Sequence, residues 1–202
     1  MSMQKMWNEK FSGEEFLYGK EPNAFLAANE PLLRPESDIL MLGEGEGRTA
    51  CFMALKGHAV TALDASDVGL DKTRALAKEM GAEIETIHAD LSEWRSERKY
   101  NGVLTSFLHL PEPLRTEAFS HALDSLESGG FFMGEFFSVK QLSRDSGGPK
   151  MAELLYTLES LEKIFQRDDI KIVKFEECVD HLSEGRGHQG DAELIRVIAQ
   201  KI

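Results

Sequence analysis

A chain of 202 residues, 42% hydrophobic and 29% charged, has the size and composition of one α/β domain with a full core. Its formal charge of −12 argues against nucleic acid or an anionic membrane surface as partner, because both require basic patches, and no run approaches the roughly 18 apolar residues of a membrane span. Cys51 and Cys178 lack metal-ligand spacing and the N-terminus lacks the apolar core of a signal peptide. The expectation is a cytoplasmic protein, a monomer or weak dimer without a metal, with a small-molecule partner and one domain over 1–202.

Residues 1–35 read as an N-terminal cap or lid. They carry Trp7, Phe11, Phe16, Tyr18 and Phe25, on one or two short helices broken near Gly13 and Tyr18-Gly19. These rings either pack on the core or close over a ligand, with Trp7 and Tyr18 as the closing residues; lids exclude water and complete a site. Pro22-Asn23 opens a short helix through Asn29, which Pro31 and Pro35 end.

Ile39 to Leu42 is an apolar run, the pattern of a strand buried on both faces. Gly43-Glu44-Gly45-Glu46-Gly47 then forms a turn, and Arg48 to Lys56 follows with helical spacing, Ala50, Met53, Ala54 and Leu55 supplying an apolar face. Strand, glycine turn and helix open a nucleotide-binding α/β domain: the glycines let a ligand lie on the backbone, and the helix start offers free N–H groups. A tight strand-to-helix corner has the same pattern, so charge carries the distinction. Glu44 and Glu46 stand where a pyrophosphate would rest, and two like charges about 4 Å apart repel by about 4 kcal/mol at an effective dielectric near 20. A ligand that brings positive charge fits better.

Gly57 to Asp64 reads as a helix stop and a second strand. Asp64 lies 17 residues after Gly47, where an acidic residue accepts hydrogen bonds from ribose hydroxyls, and Asp67 is left to cap the next helix. Ala65 and Ser66 are small enough for an adenine edge to lie against. Val68 to Met80 is a helix with Leu70, Thr73, Leu76, Ala77 and Met80 inward, stopped by Gly81. Glu83 to Ile87 alternates as a third strand. Asp90, just beyond, alone reads as a cap for the turn at Ser92-Glu93-Trp94; beside Asp64 it becomes a reader of the adenine amino group, with the Leu91 N–H donating to a ring nitrogen.

Tyr100 begins the fourth strand, which brings Phe107 to its carboxyl end and His109 just past it. Pro111 and Pro113 start a helix through Leu126, Ser128-Gly129-Gly130 stops it, and Phe131 to Val139 is the fifth strand. Leu154 to Gln166 is helical. Ile170 to Val179 and Ala192 to Ala199 are strands joined by the twelve residues Asp180 to Asp191, too few for a crossover helix. The fold class expected is α/β: a Rossmann-like, doubly wound, mostly parallel seven-stranded sheet with an antiparallel C-terminal hairpin strand.

Ile39 to Arg48, Asp64, Asp90, Leu126-Glu127-Ser128-Gly129-Gly130 and the closing hairpin resemble the landmarks of class I S-adenosylmethionine-dependent methyltransferases over most of the chain. Trp7 to Phe11, Tyr18 to Asn23, Gly43 to Arg48, His109-Leu110-Pro111, Gly147-Gly148-Pro149 and His188-Gln189-Gly190 are similar to the small bacterial branch near the tellurite-resistance and thiopurine enzymes. The resemblance implies S-adenosylmethionine as cofactor, whose ammonium and sulfonium suit an acidic turn. It places Gly43, Gly45, Gly47 and Arg48 against that cofactor, with Trp7, Tyr18 and Phe107 around it. Met41 stands where the family usually has an acidic residue, and Glu44 is the nearest substitute for pairing with the ammonium. The implied reaction moves a methyl group to a small-molecule acceptor, a thiol, a chalcogen oxyanion or a similar soft nucleophile. His109 and His188 are the candidates to bind or deprotonate it. Two other classes share parts of the pattern. Gly45 to Ala50 fits a looser fingerprint of NAD(P)-dependent oxidoreductases, and a non-catalytic S-adenosylmethionine-binding module has the same cofactor residues.

Overall fold

The run at 39–42 is the centre of the molecule because all four side chains, Ile39 to Leu42, are at most 1% exposed. The computed structural model, which describes residues 2–202, places them in β1 (Asp38–Leu42). Around it β2 (Ala59–Asp64), β3 (Ile84–His88), β4 (Tyr100–Ser106), β5 (Leu126–Phe137), β6 (Ile170–Glu184) and β7 (His188–Lys201) complete one sheet in the order β3-β2-β1-β4-β5-β7-β6. The pairs from β3 through β5 are parallel, and β7 runs antiparallel between β5 and β6. The expected Rossmann-like, mostly parallel sheet with an antiparallel hairpin strand is what forms.

Successive side chains of a strand face opposite ways, and both faces here are covered. Ile39 and Met41 join Val60, Ala62, Leu104 and Met133 against α2 (Ala24–Asn29) and α3 (Arg48–Leu55). Leu40 and Leu42 join Val103, Phe132 and Phe136 against α5 (Leu114–Asp124) and α6 (Leu158–Phe165). Met41 thus packs the core beneath the turn and has no part in a ligand wall. α1 (Met3–Phe11) lies over α4 (Asp67–Met80) near the strands' carboxyl ends. Among the described residues, no helix is long and apolar enough to cross a membrane.

The elements depart from their expected bounds in ways that have physical causes. The largest is the C-terminal hairpin. Asp180 to Asp191 is strand rather than loop, with Asp180 opposite Ala192 and Glu184 opposite His188, leaving residues 185–187 as the connection. An edge strand has one solvated side, so the polar stretch after Val179 pairs without an apolar period to betray it. The glycines expected to stop α5 lie inside β5, where the register shifts between Tyr100 and Gly102 and absorbs extra residues. The helix expected from Leu154 starts only at Leu158, because Tyr156 is fully buried and its backbone pairs with that of Phe137 and Val139. Ser66, not Asp67, caps α4 by accepting from the Gly69 N–H, and Met80 at the helix end is exposed.

Candidate active site

A cavity opens at the carboxyl ends of the parallel strands, where open α/β sheets bind their ligands. Its floor is the Gly43-Glu44-Gly45 turn after β1, Asp64 and Ala65 after β2, Asp90 and Leu91 after β3, and Ser106 and Phe107 after β4. Trp7, Phe11 and Tyr18 of the N-terminal segment roof it, and His188 enters from the start of β7.

The acidic turn does not present two carboxylates to this space. Glu44 lines the cavity, but its Oε1 accepts from the backbone N–H groups of Thr49 (3.0 Å) and Ala50 (2.8 Å), so it caps α3 from the first turn. Burial pushes its carboxyl up to about 7 against those hydrogen bonds. Glu46 turns the other way. Its Oε2 accepts from the N–H groups of Leu17 (2.8 Å) and Tyr18 (3.4 Å), and its Oε1 pairs with Lys72 Nζ at 2.8 Å. Glu46 therefore fastens the N-terminal segment to the turn and has no place in the cavity wall. The repulsion argued from two glutamates reduces to one half-buried carboxylate.

Asp64 lines the cavity and is also its keystone. Oδ2 accepts from the Gly45 N–H at 2.8 Å and Oδ1 from the Ser66 N–H at 2.7 Å, bracing the loops after β1 and β2 against each other. Burial raises its pKa while those two N–H groups oppose the rise. Asp90 sits in the wall as well, and its Oδ1 holds the Ser92 N–H and hydroxyl, so the turn cap and a place in the cavity coexist. Two expected residues lie elsewhere. Gly47 is outside the wall: it starts α3 with φ +90°, and a Cβ there would sit 2.7 Å from Thr73 Cα in α4. Its smallness serves helix packing. Ser66 is fully buried, donating to Asn8 Oδ1 at 2.6 Å besides capping α4, and no ligand edge reaches it.

At the other end the structure joins residues far apart in sequence. His188 Nδ1 is 2.9 Å from Glu184 Oε2, and Glu184 Oε2 is 2.9 Å from Arg48 Nη2. Arg48 also donates to the Glu21 carbonyl. Burial alone would raise Glu184, yet the His188 hydrogen bond and Arg48 outweigh it and hold the carboxyl below its usual range. Burial lowers His188 against the pull of Glu184, so near neutral pH the imidazole is uncharged between a carboxylate and a guanidinium. A carboxylate at Nδ1 selects the tautomer protonated there and leaves Nε2 as the free basic nitrogen. The ring is gripped by Tyr18 (4.4 Å), Phe107 (4.5 Å) and Phe137 (5.1 Å). Phe107 itself has φ +54°, a strained setting of the kind that gathers at functional sites. A Cβ on Gly147 would meet His188 Cδ2 at 2.6 Å, so the Gly147-Gly148 pair exists to let the imidazole ring in.

His109 is not part of this wall. Its ring is sandwiched between Trp7 (6.3 Å) and Phe137 (6.0 Å), and its Nδ1 is buried without a hydrogen-bond partner. Burial pushes its pKa down to about 3. The neutral ring stacks behind Trp7 and does not line the cavity, unlike the expectation for it. Sequence reasoning also missed contributors. Glu184 stood inside the presumed loop, with no motif to mark it. Asn8 ties α1 to α4 through Ser66 and Asp67, and the apolar Met3, Leu108 and Leu114 line the cavity but look like any core position. Glu135, buried in β5, holds Asn23 Nδ2 at 2.6 Å and Arg196 Nε at 2.7 Å, which anchors the start of α2 under the sheet.

Residues 39–130, a little under half of the chain, match the family model described as a methyltransferase domain. No curated protein matches the chain. Among solved structures, one described by the conversion of a disulfide bond into a thioacetal group during echinomycin biosynthesis is 18% identical, covers 99% of this chain and 92% of its own, and superposes with a TM-score of 0.78. TehB from Haemophilus influenzae is 15% identical over 98% of this chain and 67% of its own, with a TM-score of 0.73. The N-methyltransferase NodS from Bradyrhizobium japonicum, solved with S-adenosyl-L-homocysteine, is 10% identical over 98% and 97%, with a TM-score of 0.71. At these identities the likeness is one of fold. The match gives residues 39–130 a domain of the methyltransferase class, set in this fold and facing this cavity. S-adenosylmethionine is the methyl donor of that class, and the cavity fits it. An apolar floor at Leu63 and Leu91, carboxylates at Asp64 and Asp90, and a half-buried carboxylate at Glu44 suit an adenosine at one end and an ammonium at the other.

Proposed function

We propose that the enzyme transfers the methyl group of S-adenosylmethionine to a small, soft nucleophile, a thiol in the first place. Asp64 and Asp90 hold the nucleoside through its hydroxyls and amino group, the Gly43-Glu44-Gly45 backbone lies along it, and Glu44 takes the ammonium. The observation that carries this reading is Glu44: a half-buried carboxylate in the cavity wall whose pKa burial raises, while the cation that acts on it, Arg48, is already paired with Glu184. When bound, the cofactor supplies an electrophilic methyl carbon on a sulfonium whose leaving form is a neutral thioether. The chain's own part is orientation and dryness, worth roughly 7–11 kcal/mol when reactants are well aligned, and His188 Nε2 takes the proton that the acceptor gives up. Trp7, Phe11 and Tyr18 exclude water from above, and burial with the charge of Glu46 pushes the Tyr18 phenol up to about 12, so its hydroxyl stays protonated.

Calorimetric titration with S-adenosylhomocysteine and with NAD tests the assignment; binding of NAD alone would overturn it. Near pH 7 Glu44 is partly protonated in the free protein, and an ammonium beside it favours the carboxylate. Binding of S-adenosylhomocysteine is therefore expected to release a fraction of a proton, seen as heat that depends on the ionisation enthalpy of the buffer. Buffer-independent heat would take the ammonium away from Glu44. Asp64→Ala is expected to weaken the same binding by roughly 1.5–3 kcal/mol through lost charged hydrogen bonds, and an unchanged Kd would remove Asp64 from the site.

A further inference from the structure

The acceptor end of the cavity holds a charge arrangement that the methyl-transfer reading alone does not explain. Among the described residues Arg48 is the sole Lys or Arg in the cavity wall, which also holds the carboxylates Glu44, Asp64 and Asp90. Its guanidinium is tied at 2.9 Å to Glu184, a residue only 10% exposed at its side chain, and at 3.1 Å to the Glu21 carbonyl. The same Glu184 oxygen receives His188 Nδ1 at 2.9 Å. The faces around the imidazole are the rings of Tyr18, Phe107 and Phe137. One carboxylate thus does two things: it cancels the cation that would draw an anion in, and it orients the imidazole with Nε2 free.

We infer that Glu184 is the positioning and specificity residue of the acceptor site, which admits an uncharged protic nucleophile and excludes oxyanions. This rests on the methyl-transfer reading for the identity of the acceptor, but the geometry of Arg48, Glu184 and His188 stands without it. An acceptor arriving as R–XH keeps its proton until His188 is there to take it. The X–H electron pair becomes the lone pair that attacks the methyl carbon, and the proton passes to Nε2, where Glu184 stabilises the resulting imidazolium through Nδ1–H. An oxyanion meets a guanidinium already paired with Glu184, in apolar surroundings of Tyr18, Phe107 and Phe137 where an uncompensated charge is expensive. The charged groups that set the titration of His188 are Glu184 on the hairpin, Arg48 from α3 and Lys10 from α1; the nearby His109 is neutral and contributes no charge.

The test uses the full chain, wild type and Glu184→Gln, with selenite and phenylmethanethiol as anionic and uncharged probes. In the wild type, calorimetry is expected to show binding of the thiol and none of selenite at equal concentration. Glu184→Gln uncovers the Arg48 cation, so selenite affinity should rise at least tenfold, about 1.4 kcal/mol. The His188 pKa, read by NMR, should fall because its raising partner is gone. Adding Arg48→Gln to Glu184→Gln should return selenite binding to the wild-type level and raise the His188 pKa part of the way back, because the guanidinium that lowers it is gone. If Glu184→Gln alone does not fold, Glu184→Asp, which draws the carboxylate back from both partners by one methylene, should raise selenite affinity and lower the His188 pKa in the same directions, and unchanged values of both would overturn the proposal. Wild type that binds selenite as tightly as the thiol, or binds neither, overturns the proposal. So does a His188 titration, or a selenite affinity, that Glu184→Gln leaves unmoved. Neither readout needs the cofactor, so a protein that fails to bind S-adenosylhomocysteine yet shows these shifts would sink the methyl-transfer reading and leave the role of Glu184 intact.

Discussion

His188→Gln is expected to slow methyl transfer to the best acceptor in a panel of thiols, selenols and small amines by roughly 10²–10⁴-fold, the usual worth of a positioned proton acceptor. The affinity for S-adenosylhomocysteine should stay near that of wild type, because His188 sits beyond the turn that holds the nucleoside. Glutamine keeps polarity at the site and leaves Glu184 paired with Arg48, so the loss reports the missing Nε2 rather than an unpaired buried charge. The pH profile gives a second check. Burial lowers the His188 pKa from 6.5, so the base is unprotonated at neutral pH and the acid limb of the wild-type profile lies below the ordinary histidine range. The variant should lack that limb. Equal turnover in wild type and variant would remove His188 from proton transfer.

Gly47→Ala is expected to cost about 2–5 kcal/mol of stability. A left-handed backbone at a residue with a Cβ costs about 1–2 kcal/mol, and overpacking a filled core about 1–3 kcal/mol. Both apply here: φ is +90°, and the new methyl would press on Thr73 at Cα (2.7 Å) and Cβ (2.9 Å). Thr73 cannot yield, since it lies mid-helix, is fully buried, and donates its hydroxyl to the Gly45 carbonyl at 3.0 Å. Urea unfolding would show this as a lower midpoint with an unchanged slope. A loss below about 0.5 kcal/mol, the range of ordinary surface substitutions, would mean that α3 and α4 are not packed on this glycine. Such an outcome would return Gly47 to the ligand-facing role that its motif suggests.

Gly47 also shows where motif reading and structure part. Alternate glycines in a turn identify a place where backbone is approached closely, but not what approaches. Here Gly43 and Gly45 face the cavity, while Gly47 faces a helix. The glutamates between them divide in the same way: Glu44 stays in the wall and Glu46 leaves it to bind Leu17, Tyr18 and Lys72. A turn's sequence states its charge without stating its direction. Local patterns served best where a single element decides the outcome. The apolar run at 39–42, the alternation of strands and helices as far as β5, and acidic residues just past strand ends all mark the carboxyl edge of a parallel sheet as the binding edge.

Periodicity and turn chemistry along the chain by themselves determined the parallel sheet, its direction and the edge at which the cavity opens, because burial and backbone geometry there depend on neighbours a few residues away. The acceptor side was decided only by tertiary structure. Arg48 and Glu184 are 136 positions apart, and they meet because β7 inserts beside β5 and carries the hairpin end back over the start of α3. Pairing across such a distance leaves no period in the sequence. Whether a buried histidine packs between rings behind the cavity, as His109 does, or lines it beside a carboxylate, as His188 does, depends on what the closed fold brings to it.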